Sequence, residues 1–176
     1  ALKPTHRQRL LPVIHRLAGD LGLGQASARE IDQRGIRAAT ELAMIRALQR
    51  LAKVPTLVLV DGNLRLRPWR NRQQTVVRGD QRCLTIACAS IVAKQARDDL
   101  LLRLEQRFPG YGLASHKGYG TPRHRAALRR LGPTPLHRLS FLGKTLGTAE
   151  PMAGVPLRSH GTRSENPAQT PGLFWP

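Results

Sequence analysis

Between two helical stretches the chain carries a continuous apolar run, Thr56-Leu57-Val58-Leu59-Val60, which begins after Pro55 and gives out in Asp61-Gly62-Asn63. A short apolar run bounded by turn residues is the pattern of a strand buried on both faces. Such a strand needs neighbours and covering layers, and the flanking sequence supplies helices first. Leu10, Leu11, Val13, Ile14 and Leu17 recur at helical spacing after Pro4, which predicts a helix over about 4–18, ended by Gly19-Asp20. An extended piece, 21–26, leads to Ser27-Ala-Arg-Glu30, the form of a capping box. Ile36, Ala39, Ala43, Met44, Ala47, Leu48 and Leu51 then mark an amphipathic helix.

Beyond the apolar run lies a basic loop with one Trp, and then a second β-type stretch, Gln74 to Arg78, that ends in Gly79-Asp80. Nothing breaks a helix from Cys83 to Phe108. Its first half is lined with Ala87, Cys88, Ala89, Ser90 and Ala93, so it is expected to pack closely on a sheet and be buried, with the Arg-rich second half wet. Pro109-Gly110-Tyr111-Gly112 ends that helix, 113–121 reads as a loop, 122–131 as a short basic helix, and 133–141 as an irregular closing segment. Alternating helix, strand and helix give the α/β class. Two convincing strands and a weak third are fewer than the roughly five or six usual for a sheet covered by helices, so the sheet looks incomplete.

Length and charge narrow the partners. The 176 residues leave room for one ordinary domain and a tail, and the formal net charge is +18. Residues 1–142 hold 26 basic and 9 acidic side chains, and 24 of the 29 basic residues in the chain are Arg, whose planar fork suits phosphate. A polyanion, most commonly nucleic acid, is the expected partner. Residues 143–176, with five Gly and five Pro and no apolar period, read as an irregular, disordered tail. No apolar stretch is long enough to span a membrane, and the first ten residues lack a signal-like apolar region, so a cytoplasmic location is expected. Cys83 and Cys88 neither face each other on a helix nor bracket a metal, and read as small buried thiols.

Asp61 and Asp80 each sit where a strand-like stretch gives out, beside a glycine. Carboxylates at adjacent strand ends of a basic α/β protein are candidates for a divalent-metal site acting on phosphate, although an Asp-Gly after a strand is also an ordinary turn. His116, His124 and His137 have no partners at zinc-site spacing and read as structural or loop histidines. Walker, dinucleotide-binding and nucleophile-elbow motifs are absent from the sequence.

Taken in order, several segments resemble ribonuclease HII. They are Glu30-Ile31-Asp32 with Ala38-Ala39-Thr40, Val58 to Asn63, Val77-Arg78-Gly79-Asp80, Ala87 to Lys94 with Arg97-Asp98, Phe108 to Gly112, His116 to Thr121, and His137-Arg138 with Ser140-Phe141. The resemblance covers about 1–141 and implies a ribonuclease H-like α/β fold. It also implies an endonuclease, dependent on Mn²⁺ or Mg²⁺, that cuts the RNA strand of RNA–DNA hybrids and the 5′ side of ribonucleotides embedded in duplex DNA. The family's site has four carboxylates, of which Asp61 matches the third and Asp80 the fourth. Tyr119 matches the tyrosine that packs on the sugar at the RNA–DNA junction. Lys94, with Ser90 one turn earlier, and Lys117 are the implied nucleic-acid contacts, whereas Asp98 is expected to be structural or to support the ligands without being one.

The family's Asp-Glu-x-Gly-Arg-Gly segment, which holds the other two carboxylates, is not in the 176 residues. The expectation is therefore a ribonuclease H-like fold truncated at its N-terminus, with the first strands absent and residues 1–142 forming an incomplete domain. On that expectation the chain, a monomer, is inactive or weak as an enzyme. A non-catalytic basic nucleic-acid-binding remnant is the alternative.

Overall fold

The computed structural model of the chain describes residues 2–146, so residues 147–176 of the expected tail lie outside the described residues. Within it the order is α1 (Pro4–Leu17), α2 (Ala28–Gln49), β1 (Val58–Asp61), β2 (Gln73–Val76), α3 (Gly79–Arg82), α4 (Leu84–Arg107), α5 (Leu113–His116), α6 (Pro122–Leu131) and α7 (Leu139–Leu146). The chain divides into two compact units, one of Ala1–Gly24 with Glu41–Arg97, the other of Gln25–Thr40 with the chain from Asp98 on.

In the first unit, β1 and β2 form a parallel pair in the register Val58↔Gln73 to Asp61↔Val76. The crossover 62–72 contains no helix, so side chains fix its path. Gln73 accepts from the Leu66 amide at 2.9 Å and donates to the Leu66 and Trp69 carbonyls at 3.0 and 2.9 Å. Arg67 makes a forked ion pair with Glu41, at 2.8 to 3.1 Å. The expected extended piece lies so close to α2 that a Cβ at Gly24 would stand 1.9 Å from the Ala43 carbonyl oxygen, and glycine is required there.

The expectation of a fully buried strand fails. Val60 is buried, but Val58 and Leu59 are half-buried and Leu57 is exposed. Among the described residues β2 is the one strand paired with β1, so β1 has a neighbour on one edge alone.

In the second unit, the capping box forms as expected. The Glu30 amide donates to Ser27 Oγ at 3.1 Å, and the Ser27 amide donates back to Glu30 at 2.7 Å. The helix begun there runs to a kink at Gly35, with φ of 77°, and resumes over the predicted amphipathic stretch. A second expectation fails by inversion. The apolar core gathers Leu100, Leu101, Leu104 and Phe108 from the later half of α4 with Tyr111, Leu113, Leu128, Leu136 and Leu142. The arginines of that half occupy the opposite face of the same turns, and a count of charge along the chain hides that division. The small residues of the earlier half are at best half-buried, with Ala89 and Ala93 exposed.

The closing segment is helical from Leu139, contrary to the irregular reading of 133–141, and α7 carries the helix past Gly143. Asp32 explains the start of α7: its carboxylate accepts from the Leu139 amide at 2.8 Å, the Ser140 amide at 3.1 Å and the Ser140 hydroxyl. A cap supplied from a hundred residues upstream leaves no local signature.

Candidate functional site

Asp61 is the last residue of β1, and its side chain is exposed. The strand register carries it to the level of Val76, and the chain then turns through Val77 and Arg78 into α3. Arg78 adopts the left-handed conformation, with φ of 55°, and this turn points the Gly79 amide at the Asp61 carboxylate. The resulting bond, from the Gly79 N–H to Asp61 Oδ1, is 2.7 Å. A Cβ on Gly79 would lie 2.5 Å from Ile86 Cδ1 and 3.1 Å from Asp61 Oδ1, so a side chain there would displace Ile86 and press on the Asp61 carboxylate.

Asp80 follows directly. It lies in the first turn of the four-residue helix α3 and not at the end of β2, which corrects the picture of two strand-end carboxylates. The short helix escaped the sequence reading because one turn has no periodicity. Backbone nevertheless links the two positions: the residue preceding Asp80 is the donor to Asp61.

Both carboxylates are exposed, and their all-oxygen, anionic character suits a hard divalent cation such as Mg²⁺ or Mn²⁺. Such a cation prefers about six oxygens. No cluster of three or more His, Cys, Asp or Glu able to hold a metal occurs among the described residues. The donor set therefore fits in kind and is small in number.

On α4, Lys94 Nζ donates to Ser90 Oγ at 2.7 Å, so the pair foreseen one turn apart is joined. Cys83, just before that helix, is a free thiol. Backbone donation from Ile86 holds it below the usual thiol range, against the opposing effect of burial.

Tyr119 and Lys117 belong to the second unit, in a loop between two short helices. Lys117 ends α5 in the left-handed conformation, with φ of 53°, and Gly118 follows at 78°. Two consecutive left-handed residues reverse the chain and leave the Tyr119 side chain 57% exposed. Beneath the loop the three histidines are buried. His116 stacks on His124 with centroids 4.1 Å apart, and the Nε2 atoms of His124 and His137 are 3.1 Å apart. Burial, with His124 alongside, pushes His137 down to about 4, and burial also lowers His124. The structural reading of these histidines holds, but their mutual contact is new. Spacings of eight and thirteen residues carry no signal that three rings meet.

Among the described residues no helix is long and apolar enough to cross a membrane. A family model for ribonuclease HII matches residues 1–144. A ribonuclease HII of Synechococcus sp. (strain RCC307) is 66% identical over 151 residues, covering 86% of this chain and 75% of that protein. One from Parasynechococcus marenigrum (strain WH8102) is 62% identical over 146 residues, covering 83% of this chain and 65% of that protein. Against those two relatives the chain thus spans between 65% and 75% of their length. Among solved structures, the ribonuclease H2 from Pyrococcus horikoshii OT3 superposes with a TM-score of 0.67 at 19% identity, over 83% of this chain and 77% of that one. That likeness establishes a shared α/β fold.

Proposed function

The chain belongs to the ribonuclease HII family, and on that premise we propose that it carries the Asp61 and Asp80 ligands of a metal-dependent endonuclease. Its substrates are the RNA strand of RNA–DNA hybrids and ribonucleotides embedded in duplex DNA, cut on their 5′ side. The observation that carries this reading is the 2.7 Å bond from the Gly79 amide to Asp61, which ties the two family-matched carboxylate positions to one turn of backbone. Mg²⁺ or Mn²⁺ bound there supplies an activated water and neutralises charge on the phosphate. Asp61, one oxygen of which accepts from the Gly79 amide, and Asp80 would be the residues that hold the ion.

The remaining residues bind and orient the nucleic acid. Tyr119 presents an apolar face to the ribose at the RNA–DNA junction, a contact strict about sugar shape. Lys94, steadied by Ser90, and Lys117 meet phosphates. A cytoplasmic, monomeric protein accompanies this reading.

Two carboxylates of the four in the family's site hold a metal weakly, so the 176 residues by themselves cleave little or not at all. The test is incubation with a duplex bearing one ribonucleotide in Mn²⁺. The expected result is duplex binding that weakens steeply with salt, with little product. Robust cleavage abolished by Asp61→Asn would overturn the inactivity and leave the metal assignment standing. Robust cleavage indifferent to Asp61→Asn and Asp80→Asn would sink the metal assignment.

A further inference from the structure

The backbone of Tyr119 is fastened at both ends. Its N–H donates to the His116 carbonyl at 2.9 Å, and its own carbonyl accepts from the Thr121 amide at 2.8 Å. That same carbonyl faces His124 Nδ1 at 3.0 Å. A carbonyl can only accept, so His124 Nδ1 carries the proton. In the neutral ring Nε2 is then an acceptor, and the atom it meets at 3.1 Å, His137 Nε2, must be the donor.

The other end of the chain of bonds leads to the same assignment independently. The Thr134 amide, which can only donate, points at His137 Nδ1 from 3.0 Å, so that nitrogen is bare and the His137 proton sits on Nε2. Thr134 Oγ1, 2.8 Å from the same nitrogen, can donate to it as well. His116 obeys the same logic. Its Nδ1 accepts from the Gly118 amide at 3.2 Å, and its Nε2–H donates to the Tyr111 carbonyl at 2.7 Å.

Every polar hydrogen in the cluster therefore has one place. Thr134, His137 and His124 form a directed line of hydrogen bonds ending on the Tyr119 carbonyl, and all three are buried. The groups facing the two imidazoles are His116, Tyr111 and Thr134, and among the described residues no carboxylate stands by them to compensate a positive charge. A second proton on His124 Nε2 would oppose the His137 N–H, and one on His137 Nδ1 would oppose the Thr134 N–H.

We infer that His124, oriented by His137 and Thr134, is a positioning residue that sets the Tyr119 backbone, and hence the angle at which its ring meets a ribose. The inference rests on the proposed role of Tyr119, and neither histidine need touch the nucleic acid.

The test uses the 176-residue chain and two duplexes that differ by one ribonucleotide, with the ratio of their affinities as readout. Asn places its amide nitrogen near the position of imidazole Nδ1, whereas Gln places it near that of Nε2. His124→Asn should keep the donor to Tyr119 and most of the ratio. His124→Gln should lose about tenfold of it, with affinity for the all-DNA duplex unchanged. If the two variants lose thermal stability and ratio in parallel, His124 is merely structural and the inference fails.

Tyr119→Ala separates the two layers. An unchanged ratio there overturns the role of Tyr119 and the positioning with it, whereas a collapsed ratio beside an intact His124→Gln overturns the positioning alone. Imidazole ¹⁵N spectra of the unaltered chain at pH 7 need no variant to fold. Nε2–H on His116 and His137 with Nδ1–H on His124 is the expected pattern, and Nε2–H on His124 would end the inference.

Discussion

The two units support their candidate residues differently. The unit that carries Asp61 and Asp80 rests on a two-stranded parallel sheet whose apolar residues are mostly half-buried. The unit that carries Tyr119 rests on one apolar cluster drawn from the later half of α4, α6 and the segments around them. Among the described residues eleven large apolar side chains stand exposed in the first unit, Leu84 at 81% among them, against four in the second. Buried apolar area is the main source of stability, so the second unit holds most of it. Its precision also comes from closed polar bonding, in which each buried imidazole has a defined partner. The carboxylate pair depends instead on one amide and one glycine.

The comparison breaks most sharply at Leu101, which is fully buried. Leu101→Ala should cost about 3 to 4 kcal/mol in urea unfolding, and the same truncation at exposed Leu84 no more than about 0.5 kcal/mol. Equal losses would mean that the first unit is as tightly packed as the second.

Acid is the next lever. His137 is held neutral by burial, with a folded value of about 4 against 6.5 for the exposed side chain. Between those values the unfolded chain binds the extra proton, so the contribution is complete above pH 6.5, falls as the pH drops, and is gone at about 4. The loss is on the order of 3 kcal/mol. Thermal unfolding of the parent and of His137→Gln across this range checks it, since the variant should lose the steeper part of the slope.

A smaller effect belongs to the long-range cap. Asp32→Ala leaves the first amides of α7 without their acceptor and should cost about 1 to 2 kcal/mol, with Asp32→Asn recovering part of it. Amide hydrogen exchange should locate the loss at Leu139 and Ser140.

How far the sequence reached follows the same division between local and distant causes. Helices α1 and α6, the Ser27–Glu30 capping box and the strand leading to Asp61 were legible because Pro, Ser, Thr and apolar spacing act within a few residues. The one-turn helices α3 and α5 are too short to show a period. Helix α7 begins where Asp32 reaches it, and the burial of α4 is decided by Tyr111, Leu128 and Leu136 across the core. At the site, Asp61 and Asp80 stood out by their glycines, and Tyr119 by likeness to a family. The imidazoles beneath Tyr119 stayed hidden because their meeting depends on three separate segments.

Arg78 and Lys117 are the two non-glycine residues with positive φ among those described, and each precedes a glycine and then a candidate residue, Asp80 or Tyr119. Glycine at either position would relieve about 1 kcal/mol of backbone strain and remove a cation from beside a candidate site residue. A search for thermostable variants would find these substitutions attractive. If the proposed function holds, selection on nucleic-acid binding would oppose them, and the easiest gains in ruggedness would then come at the expense of charge beside the site.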